Sequence, residues 1–255
     1  MVTAIFPAAG QGKRMKASVN KVFLELMGKP ILVHTLLAFS RCDAIDNLIV
    51  VVGADEVTFI KALLTAVRGL KPYKVVAGST ERQYSIFNGL TQLNPATDVV
   101  LVHDGARPLV SCQVISAVVE EARKSGAAIA AVPAKDTIKI VNKDDQVEAT
   151  PDRQSLWTVQ TPQGFTKEVI IKAYQQAAND EFLGTDDSSL VERIGVRVKV
   201  IKGDYSNIKV TTPEDLLIAE AFMRDGLVAK VVNRVSSSVS GVVVDVKEKI
   251  FRKRE

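Results

Sequence analysis

The stretch that decides the fold is VTAIFPAAGQGKRM, which occupies residues 2–15. Its first part, Val2–Ala8, is short and apolar, as the buried strands of parallel sheets are. The turn after it contains Gly10 and Gly12, and glycines let backbone N–H groups approach an anion closely. A buried strand followed by such a turn predicts the first strand of an α/β sheet, with an anion site at its carboxyl end.

The following residues alternate short apolar runs with helical patterns. Four further buried strands are predicted, at Leu48–Val52, Lys74–Ala77, Val99–His103 and Ala127–Val132. Helices are predicted between them, at Ile31–Phe39, Glu56–Val67, Glu81–Leu93 and Gln113–Lys124. This alternation predicts a single doubly wound, mostly parallel α/β sheet of the Rossmann-like kind, with ligands beyond the carboxyl ends of its strands.

The stretch at about 137–160 breaks this alternation. Thr137–Val141 and Leu156–Gln160 alternate in the manner of strands, and Asn142–Asp145 is a turn signal. We therefore expect a β-arm inserted in the sheet domain. Such an arm either packs on a second subunit, which would make the protein a homodimer, or is a hairpin on the surface.

The end of the sheet domain is predicted near residue 226. A short strand is expected at Asn207–Val210, and TPED at 212–215 is a strong start for a helix over Pro213–Met223. The tail, 227–255, carries a net charge of +4, which equals the formal charge of the whole chain. Its valines at helical spacing predict an amphipathic helix, packed on the domain or its partner or lying on a membrane surface. Because the tail carries the whole net charge of the chain, the main domain is not expected to bind nucleic acid.

The composition excludes several classes of protein. The chain has 255 residues, 47% of them hydrophobic and 24% charged, which excludes global disorder. No apolar window is long enough to span a membrane, and no signal peptide is expected. The two cysteines, Cys42 and Cys112, have no metal-site spacing and are too few for a disulfide framework, so a reducing, cytoplasmic setting is expected. Two histidines exclude a His-rich metal site.

The glycine turn is followed by positive charges. Arg14 comes two residues after Gly12, and Lys21 comes seven residues after Arg14. Cations close to backbone donors indicate a polyphosphate site, with a solvated basic loop as the alternative. The P-loop pattern is absent, and Met15 stands where the dinucleotide fingerprint requires glycine, so an NAD-dependent enzyme is disfavoured.

A second motif, LVHDGARP, occupies residues 101–108. Asp104 is an acidic residue at the end of a buried strand and faces the cationic turn, which makes it a candidate Mg²⁺ ligand or a turn cap. His103 is interpreted as an oriented structural residue rather than a catalytic base.

These motifs together resemble the 2-C-methyl-D-erythritol 4-phosphate cytidylyltransferase family of the non-mevalonate isoprenoid pathway. Later segments agree in order: KDTIK at 135–139, DR at 152–153, LW at 156–157, QTPQ at 160–163, TD at 185–186 and NIKVT at 207–211. The resemblance runs from Val2 to about Met223, and the tail has no counterpart in the family pattern.

The resemblance implies transfer of CMP from CTP to methylerythritol 4-phosphate, with release of pyrophosphate and with Mg²⁺ or another divalent cation as cofactor. It also implies a homodimer in which the arm completes the partner's site. The implied residues are Arg14, Lys21, Arg153 and Lys209 for catalysis; Ala8, Ala9, Gly10, Gly12, Arg14, Lys21, Gly78, Ser79, Ser85 and Asp104 for the nucleotide; Asp104, Arg107, Thr137, Arg153, Thr161, Thr185 and Lys209 for the sugar phosphate; and Asp104 for the metal.

The chemistry itself agrees with a site made of cations. A phosphate monoester has a second pKa of about 6, so it is an ionised nucleophile at neutral pH and needs no strong general base. Two alternatives remain at this stage: a cytidylyltransferase for another polyol phosphate, such as the ribitol 5-phosphate of wall teichoic acid synthesis, and a non-catalytic sensor of nucleotide sugars.

Overall fold

The structure is a computed structural model that describes residues 1–10 and 20–225. Within these residues the strands are β1 (Val2–Pro7), β2 (Glu25–Leu26), β3 (Lys29–Pro30), β4 (Asn47–Val52), β5 (Tyr73–Ala77), β6 (Val99–Val102), β7 (Ala127–Pro133), β8 (Ile140–Val141), β9 (Val147–Ala149), β10 (Trp157–Thr166) and β11 (Lys199–Lys202). The helices are α1 (Ile31–Ser40), α2 (Val57–Thr65), α3 (Arg82–Leu90), α4 (Cys112–Ser125), α5 (Lys167–Asn179), α6 (Asp187–Arg193) and α7 (residues 213–225).

The central sheet of the described residues has seven strands in the order β11-β7-β10-β6-β1-β4-β5. β1 pairs in parallel with β4 on one side and with β6 on the other. β10 is antiparallel to both of its neighbours, β6 and β7. After β1 the chain forms β4 and β5 on one side of that strand and then crosses back to form β6 on the other side. The strand order therefore reverses at β1, and the carboxyl ends of β1 and β6 frame a crevice of the kind that binds ligands.

Helices cover both faces of the sheet. Alternate side chains of β1 point to opposite sides, so Phe6 belongs to the core on the side of α1, α2 and α4, whereas Ile5 belongs to the core on the side of α3, α5 and α6. Both side chains are fully buried. The doubly wound, mostly parallel α/β architecture predicted from the sequence is therefore confirmed, and the five predicted sheet strands agree with β1, β4, β5, β6 and β7 to within a residue at each end.

The predicted arm is confirmed only in part. A hairpin of β8 and β9 projects from the sheet between β7 and β10, and its strand residues are exposed. The assignment of Leu156–Gln160 to the arm was wrong, because Trp157–Thr166 is a strand of the central sheet that pairs with Ala127–Pro133. Alternating polarity is the same for a strand in either place, so the pattern did not distinguish them.

The strand predicted at Asn207–Val210 is also wrong. The segment has no strand partner among the described residues, and its backbone bonds instead to the loop after β6, where the Val210 N–H donates to the carbonyl of Ala106 at 2.9 Å. The helix start predicted next to it is confirmed. The Asp215 N–H donates to Oγ1 of Thr212, and the Thr212 N–H donates to the carboxylate of Asp215, which is a capping box.

Cys42 and Cys112 are joined in a disulfide that links the end of α1 to the start of α4. This pair was not expected, because two cysteines are too few for a disulfide framework and the expected setting was a reducing one. In the part of the chain that the structure describes, no helix is long and apolar enough to cross a membrane. The predicted tail, 227–255, lies outside the described residues.

Candidate active site

The carboxyl ends of β1, β5 and β6 open into one cleft. Its walls come from the loop after β1, the start of α3, the loop after β6 and Lys209. The structure brings eight of the predicted site residues to the lining of this cleft: Ala8, Ala9, Gly10, Lys21, Ser79, Ser85, Asp104 and Lys209. Arg14 and Gly12 lie outside the described residues.

Asp104 is the acidic centre of the cleft. It is the second residue after β6 and is almost fully buried. Its Oδ2 lies 3.1 Å from Nζ of Lys209 and 3.1 Å from Nε of Arg107. Burial by itself would raise the pKa of the Asp104 carboxyl, but Lys209, then Arg82 and Arg107, hold that pKa well below its ordinary value. Asp104 is therefore ionised at neutral pH.

The loop that carries Lys209 is attached to the loop after β6. NH1 of Arg107 donates to the carbonyl of Asn207 at 2.8 Å. The Asn207 side chain is fully buried and donates to the carbonyl of Thr161 at 2.8 Å. These bonds explain why Arg107 and Lys209, about a hundred residues apart in the sequence, reach the same carboxylate.

His103 and Thr161 lie beneath Asp104 rather than in the cleft. The Asp104 N–H donates to Oγ1 of Thr161 at 3.1 Å, and that hydroxyl lies 3.0 Å from Nδ1 of His103. Burial lowers the pKa of His103 from 6.5 to about 4, although the hydrogen bond to the Arg107 carbonyl acts in the opposite direction. The imidazole is fully buried and oriented by hydrogen bonds at both ring nitrogens, so His103 does not line the cleft.

Arg82 is a cation of the cleft that the sequence analysis missed. Its NH2 lies 2.8 Å from Oδ2 of Asp187, which is fully buried, and 4.0 Å from Oδ1 of Asp104. Tyr174 donates a hydrogen bond of 2.5 Å to the other oxygen of Asp187. Burial lowers the pKa of Arg82, but Asp187 and Asp104 outweigh it and raise that pKa above its ordinary value. A signal was available in the sequence, because Arg82 stands just after the predicted strand Lys74–Ala77.

The loop after β1 is held by backbone and side-chain bonds. The Ala8 N–H donates to the carbonyl of Val51 at 2.7 Å, and the side-chain amide of Asn20 donates to the carbonyl of Ala8 at 2.8 Å. Lys21 follows Asn20 and begins a single turn of 3₁₀ helix. The described part of this loop therefore presents a fixed backbone and one lysine to the cleft.

The loop after β5 is tight at Gly78. A Cβ at this position would lie 2.9 Å from both Cβ of Ala9 and Oγ of Ser85, closer than side chains tolerate. The same hydroxyl of Ser85 accepts the Ser79 N–H at 2.9 Å and donates to the Ser79 carbonyl at 3.2 Å. Gly78 and Ser85 thus shape the wall, while Ser79 is exposed in the cleft.

The remaining predicted residues do not line this cleft. Thr137 and Arg153 belong to the segment that carries the arm, where both are exposed, and NH1 of Arg153 donates to the carbonyl of Lys135 at 3.2 Å. Thr185 lines a smaller neighbouring cavity of about 80 Å³, which shares Arg82 with the main cleft. In this chain neither Thr137 nor Arg153 therefore lines the cleft that presents Lys209.

The described residues contain no group of three or more His, Cys, Asp or Glu side chains that could hold a metal ion. Asp104 offers one carboxylate on the wall of a cleft that also presents Lys21 and Lys209. Mg²⁺ requires only one or two protein carboxylates when phosphate and water oxygens complete its shell. The donor set consequently fits a magnesium ion bound together with phosphate groups.

Known proteins resemble this chain along most of its length. The family model described as 2-C-methyl-D-erythritol 4-phosphate cytidylyltransferase (IspD) matches residues 2–225. The protein of that name from Caldanaerobacter subterraneus is 46% identical, with 88% of this chain and 99% of the relative aligned. The one from Bacillus cereus is 50% identical, over 88% and 98% of the two chains.

Solved structures show the same likeness. The crystal structure of 4-diphosphocytidyl-2C-methyl-D-erythritol synthase from Anaerococcus prevotii is 39% identical, has a TM-score of 0.78 and covers 88% of this chain and 96% of its own. The Thermus thermophilus 2-C-methyl-D-erythritol 4-phosphate cytidylyltransferase is 30% identical, has a TM-score of 0.72 and covers 87% and 98%. From its cleft, its motifs and these relatives, the chain belongs to the 2-C-methyl-D-erythritol 4-phosphate cytidylyltransferase family.

Proposed function

We propose that the protein transfers CMP from CTP to 2-C-methyl-D-erythritol 4-phosphate, forming CDP-methylerythritol and pyrophosphate for isoprenoid precursor synthesis. The observation that carries the proposal is the buried, ionised Asp104 with Lys209, Arg107 and Arg82 around it, at the carboxyl ends of the central strands. The relatives from Caldanaerobacter subterraneus and Bacillus cereus are named 2-C-methyl-D-erythritol 4-phosphate cytidylyltransferase.

The site suits an attack by one anion on another. The substrate phosphate is ionised at neutral pH, since its second pKa is about 6, and it therefore needs no proton to be removed. His103 is buried beneath the cleft and could not reach a substrate as a base. The task is to overcome repulsion between two phosphates, and preorganised cations do this by stabilising charge in the transition state.

The proposed roles follow the positions of the cations. Lys21 and Arg14 stabilise the charge on the phosphoryl group being transferred. Lys209, with Arg153, positions the attacking phosphate. The wall residues Gly78, Ser79 and Ser85, with the backbone at 8–10, hold the nucleotide, and Arg107, Thr137 and Thr185 form the sugar-phosphate side of the site. Thr161, which the family resemblance also assigned to the sugar phosphate, is buried beneath Asp104 and does not line the cleft.

Asp104 is the residue that would hold Mg²⁺, together with phosphate oxygens of the bound substrates. When bound, the ion would supply positive charge that lowers the repulsion between the two phosphates. Arg107 and Lys209 fix the carboxylate of Asp104 from the protein side, at 3.1 Å each, so the ligand does not have to be ordered when the substrates bind.

A homodimer through the arm would complete the site. Thr137 and Arg153 lie away from the cleft of their own chain, and the arm carries exposed apolar side chains such as Ile140 and Val147. An arm of this kind on a partner subunit would cover that apolar surface and bring the partner's copies of both residues to Lys209. A surface hairpin that contacts no partner is the alternative.

Mixing two inactive variants tests the shared site. Arg153→Ala and Lys209→Ala are unfolded together, refolded and assayed, with each variant alone as the control. If the two residues act across the interface, half of the randomly mixed dimers regain one complete site, and about one quarter of wild-type activity returns. No recovery, or a monomer by light scattering, would remove the shared-site proposal.

The substrate is tested by pyrophosphate release from CTP and Mg²⁺, with methylerythritol 4-phosphate and ribitol 5-phosphate compared side by side. Preference for methylerythritol 4-phosphate is expected. Preference for ribitol 5-phosphate would assign the protein to cell-wall polymer synthesis, and no release with either would favour a non-catalytic nucleotide-sugar binder. The expected cytoplasmic location stays a prediction that cell fractionation would check.

A further inference from the structure

The hydroxyl of Thr161 connects the loop after β6 to a buried histidine. It lies 3.1 Å from the Asp104 nitrogen and 3.0 Å from Nδ1 of His103, and the other ring nitrogen of His103 lies 3.1 Å from the carbonyl oxygen of Arg107. All of these contacts are within hydrogen-bonding distance. Thr161 and His103 are buried, with 5% and 0% of their surfaces exposed.

The direction of each hydrogen bond follows from what each group can do. A backbone N–H only donates and a carbonyl only accepts, so Thr161 Oγ1 accepts from Asp104 and His103 Nε2 donates to Arg107. Because Nε2 carries the proton of the neutral ring, Nδ1 is the acceptor, and the Thr161 hydroxyl donates its hydrogen bond to Nδ1. The result is a hydrogen-bonded chain of three bonds. It runs from the Asp104 N–H through the Thr161 hydroxyl and the His103 ring to the Arg107 carbonyl.

The histidine ring at the base of this chain is fixed by aromatic contacts. Its centroid lies 4.7 Å from that of Phe39 and 6.1 Å from that of Phe6, and both phenylalanines are fully buried. The ring therefore holds the Thr161 hydroxyl in one orientation. The hydroxyl in turn fixes the backbone of Asp104, whose carboxylate meets Lys209 in the cleft.

We propose that His103 is a positioning residue of the transfer reaction, acting through the Thr161 hydroxyl to fix the Asp104 backbone without touching a substrate. The inference rests on the proposed function of the cleft and adds to it a role for a histidine that the chemistry does not use. On this proposal, turnover depends on the hydrogen bond that Nδ1 of His103 accepts and not on the volume that the ring fills.

A matched pair of variants separates the two ring nitrogens. His103→Asn keeps an acceptor near the position of Nδ1, and His103→Gln keeps a donor near the position of Nε2, while both lose the ring. Thr161→Ser keeps the hydroxyl and Thr161→Val removes it at nearly constant volume. We expect kcat to fall about tenfold in His103→Gln and Thr161→Val, the effect of one buried hydrogen bond, with the KM for CTP little changed.

The conservative variants, His103→Asn and Thr161→Ser, should retain most of the kcat. The double variant His103→Gln/Thr161→Val should be no slower than either single variant, because both changes break the same chain. Equal loss in His103→Asn and His103→Gln would overturn the proposal, and so would additive losses in the double variant.

A second readout keeps the test independent of catalysis. Hydrogen exchange of the Asp104 backbone amide should be faster in Thr161→Val and His103→Gln than in wild type, and unchanged in Thr161→Ser. Absence of turnover in the wild-type protein would contradict the proposed function alone. Unchanged exchange at Asp104 in Thr161→Val would overturn the positioning role whatever the activity.

Discussion

Replacing His103 should change how the stability of the protein depends on pH. The pKa of this imidazole is lowered by burial from 6.5 to about 4, so the folded protein favours the neutral ring. As the pH falls below 6.5, the unfolded chain takes up a proton that the folded protein does not, and the folded state loses stability. The loss develops between about pH 6.5 and pH 4 and is complete below the lower value.

The size of the effect follows from the two pKa values. Between pH 7 and pH 5 the wild-type free energy of unfolding should fall by about 2 kcal/mol through His103 alone. His103→Asn cannot titrate and should lack this component, although it should be less stable than wild type at pH 7 because the ring leaves a cavity beside Phe6 and Phe39.

The assay is urea unfolding of both proteins at pH 7 and pH 5, followed by fluorescence of Trp157. The other histidine, His34, is present in both proteins, so its contribution cancels in the difference between them. If both proteins lose the same stability between pH 7 and pH 5, the reasoning about burial is refuted. An NMR titration of wild type gives a direct check, since the His103 ring signals should complete only about a tenth of their titration shift between pH 7 and pH 5.

Three further outcomes are expected. Asp187→Asn should destabilise the fold by about 2 kcal/mol, because the partly buried Arg82 loses the nearer of its two carboxylates and keeps only Asp104 at 4.0 Å, whereas the exposed Asp180→Asn should leave thermal unfolding nearly unchanged. Gly78→Ala should cost roughly 1–3 kcal/mol of stability, measured by urea unfolding, and should weaken CTP binding in calorimetry, because its Cβ has no room. Lys209→Met should lower kcat by roughly 100-fold in a pyrophosphate-release assay, and unchanged turnover would contradict its role.

The central strands of the sheet could be predicted from the sequence alone, and so could about half of the residues of the candidate site. Buried strands such as Val99–Val102 are continuous apolar runs, and the residues that follow them, Asp104 above all, are placed at the ligand edge by topology alone. The motif order then identified Lys209, although it lies on a loop rather than on the predicted strand.

The remainder depended on contacts between residues far apart in the chain. Arg82 faces the cleft because Asp187, 105 positions later, is buried against it, and local patterns contain no information about that pairing. The antiparallel strand Trp157–Thr166 has the polarity of an arm strand and was placed wrongly. Cys42 and Cys112 likewise needed three-dimensional proximity before they could be paired.

The central claim is that the cations around Asp104 transfer a cytidylyl group to a sugar phosphate. It is tested most directly by following the protein with CTP, methylerythritol 4-phosphate and Mg²⁺ by ³¹P NMR. The account predicts that the phosphomonoester signal is replaced by the paired signals of a diphosphate diester, with an equal amount of pyrophosphate. Release of CMP with an unchanged phosphomonoester signal, or no reaction at all, would contradict it.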